Sequence, residues 1–226
     1  MANPVEFSVI TPSCGERPRG LARAMASVDA AVRAVGEALP PGSVEMLVGF
    51  DGVKGERPQG FDFARFFDLP LDNDYGNGIR PLLMKQAQGR RLLFVDDDNE
   101  LAPQAFSVYL RHPDAELVIA RIDTSRAFPE TPYLPVHTEK LPLVRQNNVD
   151  PLCLCVSREL AVVRCGGWRY TGYNADYLNI LDFERRSRST VVVDDVAGFY
   201  DVNRGLDDQS GTARRMLKRG ATRARG

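Results

Sequence analysis

The fold turns on one stretch, Arg91-Leu-Leu-Phe-Val-Asp-Asp-Asp-Asn99. Four apolar residues, Leu92 to Val95, run directly into Asp96, Asp97 and Asp98 with no turn residue between them. A short unbroken apolar run suits a strand covered on both faces, as in a parallel sheet. Three adjacent carboxylates repel one another and are costly to bury, so the strand has to leave the core where they begin. Open α/β sheets bind ligands at that C-terminal edge. Hard cations that bridge phosphates take one or two carboxylates as ligands. An isolated Asp-Asp-Asp fits a solvated turn equally well, so the flanking chain has to decide.

Upstream, Phe7-Ser-Val-Ile10 reads as a first strand, closed by Thr11-Pro-Ser-Cys-Gly15. Leu21, Met25, Val28, Val32, Val35 and Leu39 then recur at spacings of three and four, one face of a long helix that stops at Pro40-Pro-Gly42. Val44-Glu-Met-Leu-Val-Gly-Phe50 is a second strand, ending at Asp51-Gly52. Strand, helix and strand make a βαβ unit, whose right-handed crossover sets the two strands parallel. Residues 53–77 are polar and Gly-rich, with a short strand candidate at Phe63–Phe67. A helix over 79–88 follows, with Pro81 in its first turn and Gly89 at its end.

Downstream, Pro103 to Arg111 reads as a short helix and Leu117-Val-Ile-Ala120 as a buried strand. From Asp123 to Asp150 no period survives, and Pro129, Pro132, Pro135 and Pro142 punctuate the stretch. A loop that long in a compact domain is functional or disordered, and the expectation is a mobile lid. Order returns with a strand at Leu152–Val156, a helix from an N-cap at Ser157 to Arg164, and Gly166-Gly-Trp168. A helix from about Asn174 to Arg186 and a last strand at Thr190–Val193 complete the pattern. The predicted class is α/β: a Rossmann-like mixed, mostly parallel sheet flanked by helices, one domain over residues 1–205 with a basic, flexible tail at 206–226.

The 226 residues suffice for one sizeable core, and 43% hydrophobic with 26% charged residues is ordinary globular composition. The net charge of −1 is uneven: residues 211–226 hold six basic side chains and no acidic one, leaving 23 basic against 30 acidic elsewhere, or −7. A body of that sign does not read as a nucleic-acid binder. No run of eighteen apolar residues occurs and the N-terminus carries no secretory pattern, so the expectation is a cytoplasmic protein with free thiols at Cys14, Cys153, Cys155 and Cys165. Any membrane contact would be peripheral, through Arg214, Arg215, Lys218, Arg219, Arg223 and Arg225.

Five segments, in order, resemble the inverting nucleotide-sugar glycosyltransferases of family 2, which have the GT-A fold. Ser8-Val-Ile-Thr-Pro-Ser13 is similar to that family's opening strand and turn, and Val44–Asp51 to its second strand with a nucleotide-contacting Asp. Asn77-Gly-Ile-Arg80 through Ala87-Gln-Gly89 resembles its N-x-G and A-x-G helix, and Leu93–Asp98 its DXD strand. Gly166-Gly-Trp168, followed by Asn174-Ala-Asp176-Tyr177, resembles the segment that ends in the catalytic base. The resemblance covers about residues 6–186.

What the resemblance implies can be set beside the chemistry. A nucleoside diphosphate leaves with concentrated negative charge, which a divalent cation, Mn2+ or Mg2+, stabilises. Asp98 would hold that cation, with Asp96 or Asp97 on the ribose or a metal-bound water. Asp51 would accept from a base N–H, Arg80 would meet phosphate or a base carbonyl, and Pro12, Ser13 and Glu16 would line the base pocket. Inversion also needs a carboxylate to take the acceptor hydroxyl's proton, and Asp176 occupies that place near a helix N-terminus. Trp168 would either stack on an acceptor or plug the core. A UDP-sugar is the expected donor; the acceptor hydroxyl is unassigned.

The chain departs from the family pattern twice. Ala175-Asp176 stands where many relatives have Glu-Asp, and the region from Asp194 to Asn203 lacks the His that many use as a further metal ligand. Asp201, Asn203, or no residue is left in that role. His137 reads as an acceptor contact or a surface residue. A nucleotidyltransferase would need a Gly-rich loop after the first strand, and a dinucleotide oxidoreductase would need G-x-G-x-x-G there; residues 11–19 contain only Gly15. The alternatives to a transferase are a non-catalytic nucleotide-sugar-binding module and, against that missing loop, a nucleotidyltransferase.

Overall fold

Leu92, Leu93, Phe94 and Val95 are each at most 1% exposed, and the strand they build ends where the carboxylates begin. The computed structural model describes residues 4–207. In chain order it contains β1 (Phe7–Ser13), α1 (Pro18–Val35), β2 (Val44–Asp51), β3 (Ala64–Leu69), α2 (Ile79–Gln86), β4 (Arg91–Phe94) and β5 (Glu100–Leu101). Then come α3 (Ala105–Leu110), β6 (Leu117–Asp123), β7 (Tyr133–Leu134), β8 (Leu154–Ser157), α4 (Ala175–Arg186) and β9 (Thr190–Phe199). The strands form one sheet in the order β3-β2-β1-β4-β8-β6-β9-β5, with β7 beside β6.

β1 lies between β2 and β4 and is parallel to both, paired Phe7 to Val44 on one side and Phe7 to Arg91 on the other. That register brings Ser13, Asp51 and Asp96 to one edge, where the three strands leave the core. Beyond β4 the sheet turns mixed: β8 runs antiparallel to β4 and β6, while β9 runs parallel to β6. The long pairings are parallel and the short ones antiparallel, as the α/β reading requires.

The spacing-three-and-four pattern of α1 is a core face: Leu21, Ala24, Met25, Val28 and Ala31 are buried. Fully burying a Leu, Met or Val side chain contributes about 1.5–3 kcal/mol. Gly20 is required at its start, because a Cβ there would come within 2.7 Å of the Asp97 carbonyl oxygen. The first turn of α1 is thereby seated directly on the backbone of the acidic run. Gly49 does the same for α2, where a Cβ would meet Ile79 at 2.6 Å.

Three expectations change. The predicted helix at 157–164 is a π-helical segment, Glu159–Arg164, although Ser157 Oγ does accept the Leu160 N–H at 3.2 Å. Cys153 belongs to a 3-10 turn, Pro151–Cys153, that precedes β8. β9 continues past Val193 to Phe199, because Val196, Gly198 and Phe199 pair with Arg121, Ile122 and Asp123 after a register shift. All four cysteines are free thiols. Among the described residues no helix is long and apolar enough to cross a membrane. The basic cluster at 214–225 lies outside the described residues. Asp207 is inside them, and its carboxylate accepts the N–H groups of Arg19 and Gly20 at the start of α1.

Candidate active site

The acidic run splits into three environments within three residues. Asp97 turns inward and is 2% exposed. Its Oδ2 accepts from Ser13 Oγ at 2.7 Å and its Oδ1 from Arg17 Nη1 at 2.8 Å. Burial pushes its carboxyl up, while Arg17 and the Ser13 hydroxyl oppose that shift. The same Arg17 nitrogen reaches Asp98 Oδ2 at 2.6 Å. Asp98 is pushed up to about 7, chiefly by burial, with Asp96, Asp97 and Asp201 adding to the effect against Arg17. The chain after β9 returns to this point: Asn203 N–H donates to the Asp98 carbonyl at 3.0 Å, and Asp201 N–H to Asn99 Oδ1 at 2.7 Å.

Asp96 faces the other way, onto Arg80. The Arg80 Nη2 donates to both Asp96 oxygens, at 2.8 and 2.9 Å, and its Nη1 donates to the Tyr75 carbonyl at 3.0 Å. That Nη1 also lies 3.8 Å from Asp176 Oδ1. Expected on a phosphate or base carbonyl, Arg80 is seen fully buried, linking the carboxylate after β4 to the carboxylate at the start of α4. Its guanidinium sits 5.1 Å from the Trp168 ring centroid, a cation–π contact. Trp168 is 3% exposed, packs on Phe94 and Phe183, and donates Nε1–H to Asn77 Oδ1 at 3.1 Å. Of its two readings, the packing matches the core plug.

A loop over residues 70–78 joins the two halves. Asp51 accepts the N–H groups of Asp72 and Asn73 at 2.6 and 2.8 Å, which leaves each carboxylate oxygen a further lone pair. Gly76 lies against Pro12, where a Cβ would come within 2.6 Å, so the loop covers the end of β1. Asp74 takes the Gly172 N–H on both oxygens, at 3.1 and 2.9 Å, and Asn77 Nδ2 donates to the Gly172 carbonyl at 3.3 Å. Asn73 and Tyr75 hold φ values of 55° and 54°. Non-glycine residues in that region are strained and cluster at ligand loops. Glu16 is half-buried in the turn between β1 and α1, with no ion pair among the described residues.

Beyond Asp176 opens a cavity of about 490 Å³. Its walls include Asp150, Asp176, Tyr173, Tyr177, Tyr200 and Phe128. Asp176, in the first turn of α4 and 42% exposed at its side chain, has its carboxyl raised by burial first, then by Asp96 and Asp74, against Arg80. Asp150 accepts the Leu152 N–H at 2.8 Å. Its carboxyl is pushed up to about 8 by burial, by Asp176 and by Asp96. Ala175, at 1% exposure, is a position where a carboxylate would be buried; a second carboxylate reaches the cavity from Asp150 instead.

Arg17, Asp74 and Asp150 were not singled out from the sequence, and Asn77 entered it only as the first residue of the Asn77-Gly-Ile-Arg80 segment. Arg17 carried a usable signal, an arginine four residues past the β1 exit and facing an acidic run. Asp150 carried only its Asp-Pro junction at the end of an aperiodic loop.

No group of three His, Cys, Asp or Glu side chains is gathered as a metal cage among the described residues. Asp98 and Asp201 lie close enough to repel each other, and each already pairs with an arginine, Arg17 at 2.6 Å and Arg204 at 3.0 Å; their own donors are carboxylate oxygens. That donor set suits a hard divalent ion which completes its shell with phosphate oxygens and water.

No protein-family profile matches the sequence, and no curated protein sequence matches it. Solved structures do. S. aureus TarS residues 1–349 superimposes with a TM-score of 0.64 at 14% identity, covering 86% of this chain and 60% of that one. The same protein in complex with UDP-GlcNAc gives 0.63 at 14% identity, over 86% and 58% of the two chains. The mannosyltransferase PcManGT from Pyrobaculum calidifontis, in complex with GDP-Man and Mn2+, gives 0.61 at 15% identity, over 88% and 58%. This chain therefore spans about three-fifths of the length of these three structures, and at these identities the likeness is one of fold: it folds as proteins that hold nucleotide sugars do.

Proposed function

We propose that the chain is an inverting glycosyltransferase of the family-2 type, moving a sugar from a nucleoside diphosphate, UDP first among those to test, to an acceptor hydroxyl. The observation that carries the reading is the bridge Asp96–Arg80–Asp176. One buried guanidinium ties the strand edge, where a donor would sit, to a carboxylate at the mouth of a cavity, where an acceptor would enter.

In this reading Asp51 accepts from the base, with Pro12, Ser13 and Glu16 beside it, and Asp96 meets the ribose. Asp176 takes the acceptor hydroxyl's proton as the acceptor oxygen bonds to the sugar C1 and the C1–O bond to the diphosphate breaks. The electron pair of that bond leaves with the diphosphate. The raised carboxyl of Asp176 makes it a stronger base than an ordinary aspartate, while Arg80 opposes that shift and favours the ionised form. Asp98, with Asp201 beside it, would hold a divalent cation, which when bound supplies positive charge to the departing diphosphate. Arg80 sets the distance between the two halves and Trp168 holds Arg80.

The test is release of nucleoside diphosphate from UDP- and GDP-sugars with and without Mn2+, water serving as acceptor. Slow metal-dependent release is the expected outcome. Tight nucleotide-sugar binding without any release in either condition would favour a binding module.

A further inference from the structure

The structure assigns to Arg17 the place of a resident counter-ion: a divalent cation that binds Asp98 through Oδ2 must displace its guanidinium. This rests on the donor-site reading above. A single Arg17 nitrogen stands 2.8 Å from Asp97 Oδ1 and 2.6 Å from Asp98 Oδ2. A metal ion on the same Asp98 oxygen would sit about 2.0–2.6 Å from it, so ion and guanidinium cannot share that oxygen without close like-charge contact.

The two carboxylates are unequal partners in the exchange. Asp97 has both oxygens engaged, one by the Ser13 hydroxyl and one by Arg17, and is buried. Asp98 keeps one-fifth of its side chain exposed. The Arg17 side chain is 36% exposed, and its backbone is the N-cap of α1, with φ −124° and ψ 60° and a carbonyl that accepts the Leu21 N–H at 2.8 Å whatever the guanidinium does. It can therefore leave Asp98 without unwinding α1, but leaving strips a buried carboxylate of its cation. Unpairing a buried charge is unfavourable, so metal alone should bind weakly.

A nucleoside diphosphate changes the balance. Its oxygens offer the released guanidinium a charge-assisted partner, so cation and diphosphate should bind cooperatively, each raising the other's affinity by the same factor. Arg17 would set that coupling.

The experiment measures Mn2+ affinity by calorimetry and by the paramagnetic resonance signal of free Mn2+, with and without UDP or GDP. Wild type, Arg17→Gln and Arg17→Lys are compared, with circular dichroism to confirm folding. Without nucleotide, Arg17→Gln should bind Mn2+ roughly tenfold more tightly or better, the factor a lost charge-assisted hydrogen bond commands. The enhancement by nucleotide should shrink in the same variant. Arg17→Lys, a single ammonium that still pairs one carboxylate, should fall between, and carries the test if Arg17→Gln does not fold. Equal or weaker Mn2+ binding in the variants, with wild type binding Mn2+ alongside nucleotide, overturns the assignment to Arg17 and leaves the donor-site reading standing. Absence of Mn2+ binding in every form, with and without nucleotide, removes the metal part of that reading and this inference with it.

Discussion

At the strand edge every carboxylate has a committed partner; around the cavity the carboxylates face open space. Asp51 holds two backbone N–H groups, Asp96 holds Arg80, Asp97 holds Ser13 and Arg17, and Asp98 holds Arg17. Across the cleft, Asp176 has its nearest cation at 3.8 Å and Asp150 accepts one backbone N–H. The edge is built from strand ends fixed by sheet pairing. The cavity is walled by a loop and by the first turn of a helix, with Tyr173 80% exposed and Phe128 51% exposed. Paired, buried groups are pre-organised to receive a charged ligand. Under-paired carboxylates with raised proton affinity are suited to move a proton.

The comparison is broken most severely at Asp98. Asp98→Ala should abolish the metal-dependent part of nucleotide binding while leaving the thermal melt within a few degrees of wild type, since the side chain projects past the end of β4. Calorimetry with UDP and Mn2+ reads the first, and circular dichroism the second. Undiminished metal-dependent affinity would place the cation elsewhere.

Next in size is Asp176→Asn. Turnover should fall by about a hundredfold or more, the usual contribution of a positioned base, with donor affinity nearly unchanged. A variant with normal turnover and a weakened donor would move Asp176 to the edge side of the comparison.

These two residues also mark how far the sequence could be read. β1, β2 and β4 were legible because strands buried on both faces leave apolar runs, and α1 because its buried face repeats at three and four. The acidic run declared itself by following an apolar strand with no turn. The short strands β5 and β7 left no trace, since two-residue strands exist only through their partners β9 and β6. Asp194 and Asp195 hid the second half of β9 by reading as its end. In the site, Asp176 was readable through its neighbours Gly166, Gly167 and Trp168, whereas Asp150 and Arg17 matter through contacts 26 and 80 residues away in sequence, which no local pattern encodes. Arg80 was readable as important but not as buried.

Asp150 offers a subtler test, through pH. Its carboxyl, at about 8, is raised by burial and by the charges of Asp176 and Asp96, with the Leu152 N–H and Arg80 opposing. In the proposed mechanism Asp176 is the group that must ionise for turnover, while Asp150 keeps its proton through neutrality. A base is active above its own pKa, so the acid limb of turnover belongs to Asp176 and should survive Asp150→Asn in place. Above pH 8 Asp150 ionises in the wild type and loses a hydrogen-bond donor, worth about 1 kcal/mol or roughly fivefold in rate. Asn keeps a donor, so the alkaline fall should flatten in the variant. The pH profile of donor hydrolysis, with water as acceptor, reads both limbs. An acid limb displaced by Asp150→Asn would take that limb away from Asp176.

The smallest effect concerns whether the cavity wall moves. The stretch from 123 to 150 is not uniformly loose: Thr124, Val144 and Asn148 are buried. Asn148 alone accepts from the Val136 N–H and donates to the Val136 and Leu143 carbonyls. Arg126 donates to the Val202 and Arg204 carbonyls, tying the loop to the chain after β9. Between these clamps Val136 to Pro142 is exposed throughout. A lid would hinge there, with Phe128 and Gln146 closing over the cavity when donor arrives. Trypsin should cut after Lys140 in the free protein, at a rate set by how often that segment opens. If the donor-bound form is closed, donor at twice its dissociation constant leaves one-third of the molecules open and slows that cut about threefold. Cleavage at other surface lysines and arginines is the internal control, read by mass spectrometry of the fragments. A Lys140 cut that proceeds at one rate with and without donor would make this wall as fixed as the strand edge, and the contrast between the two sides would then be one of charge pairing alone.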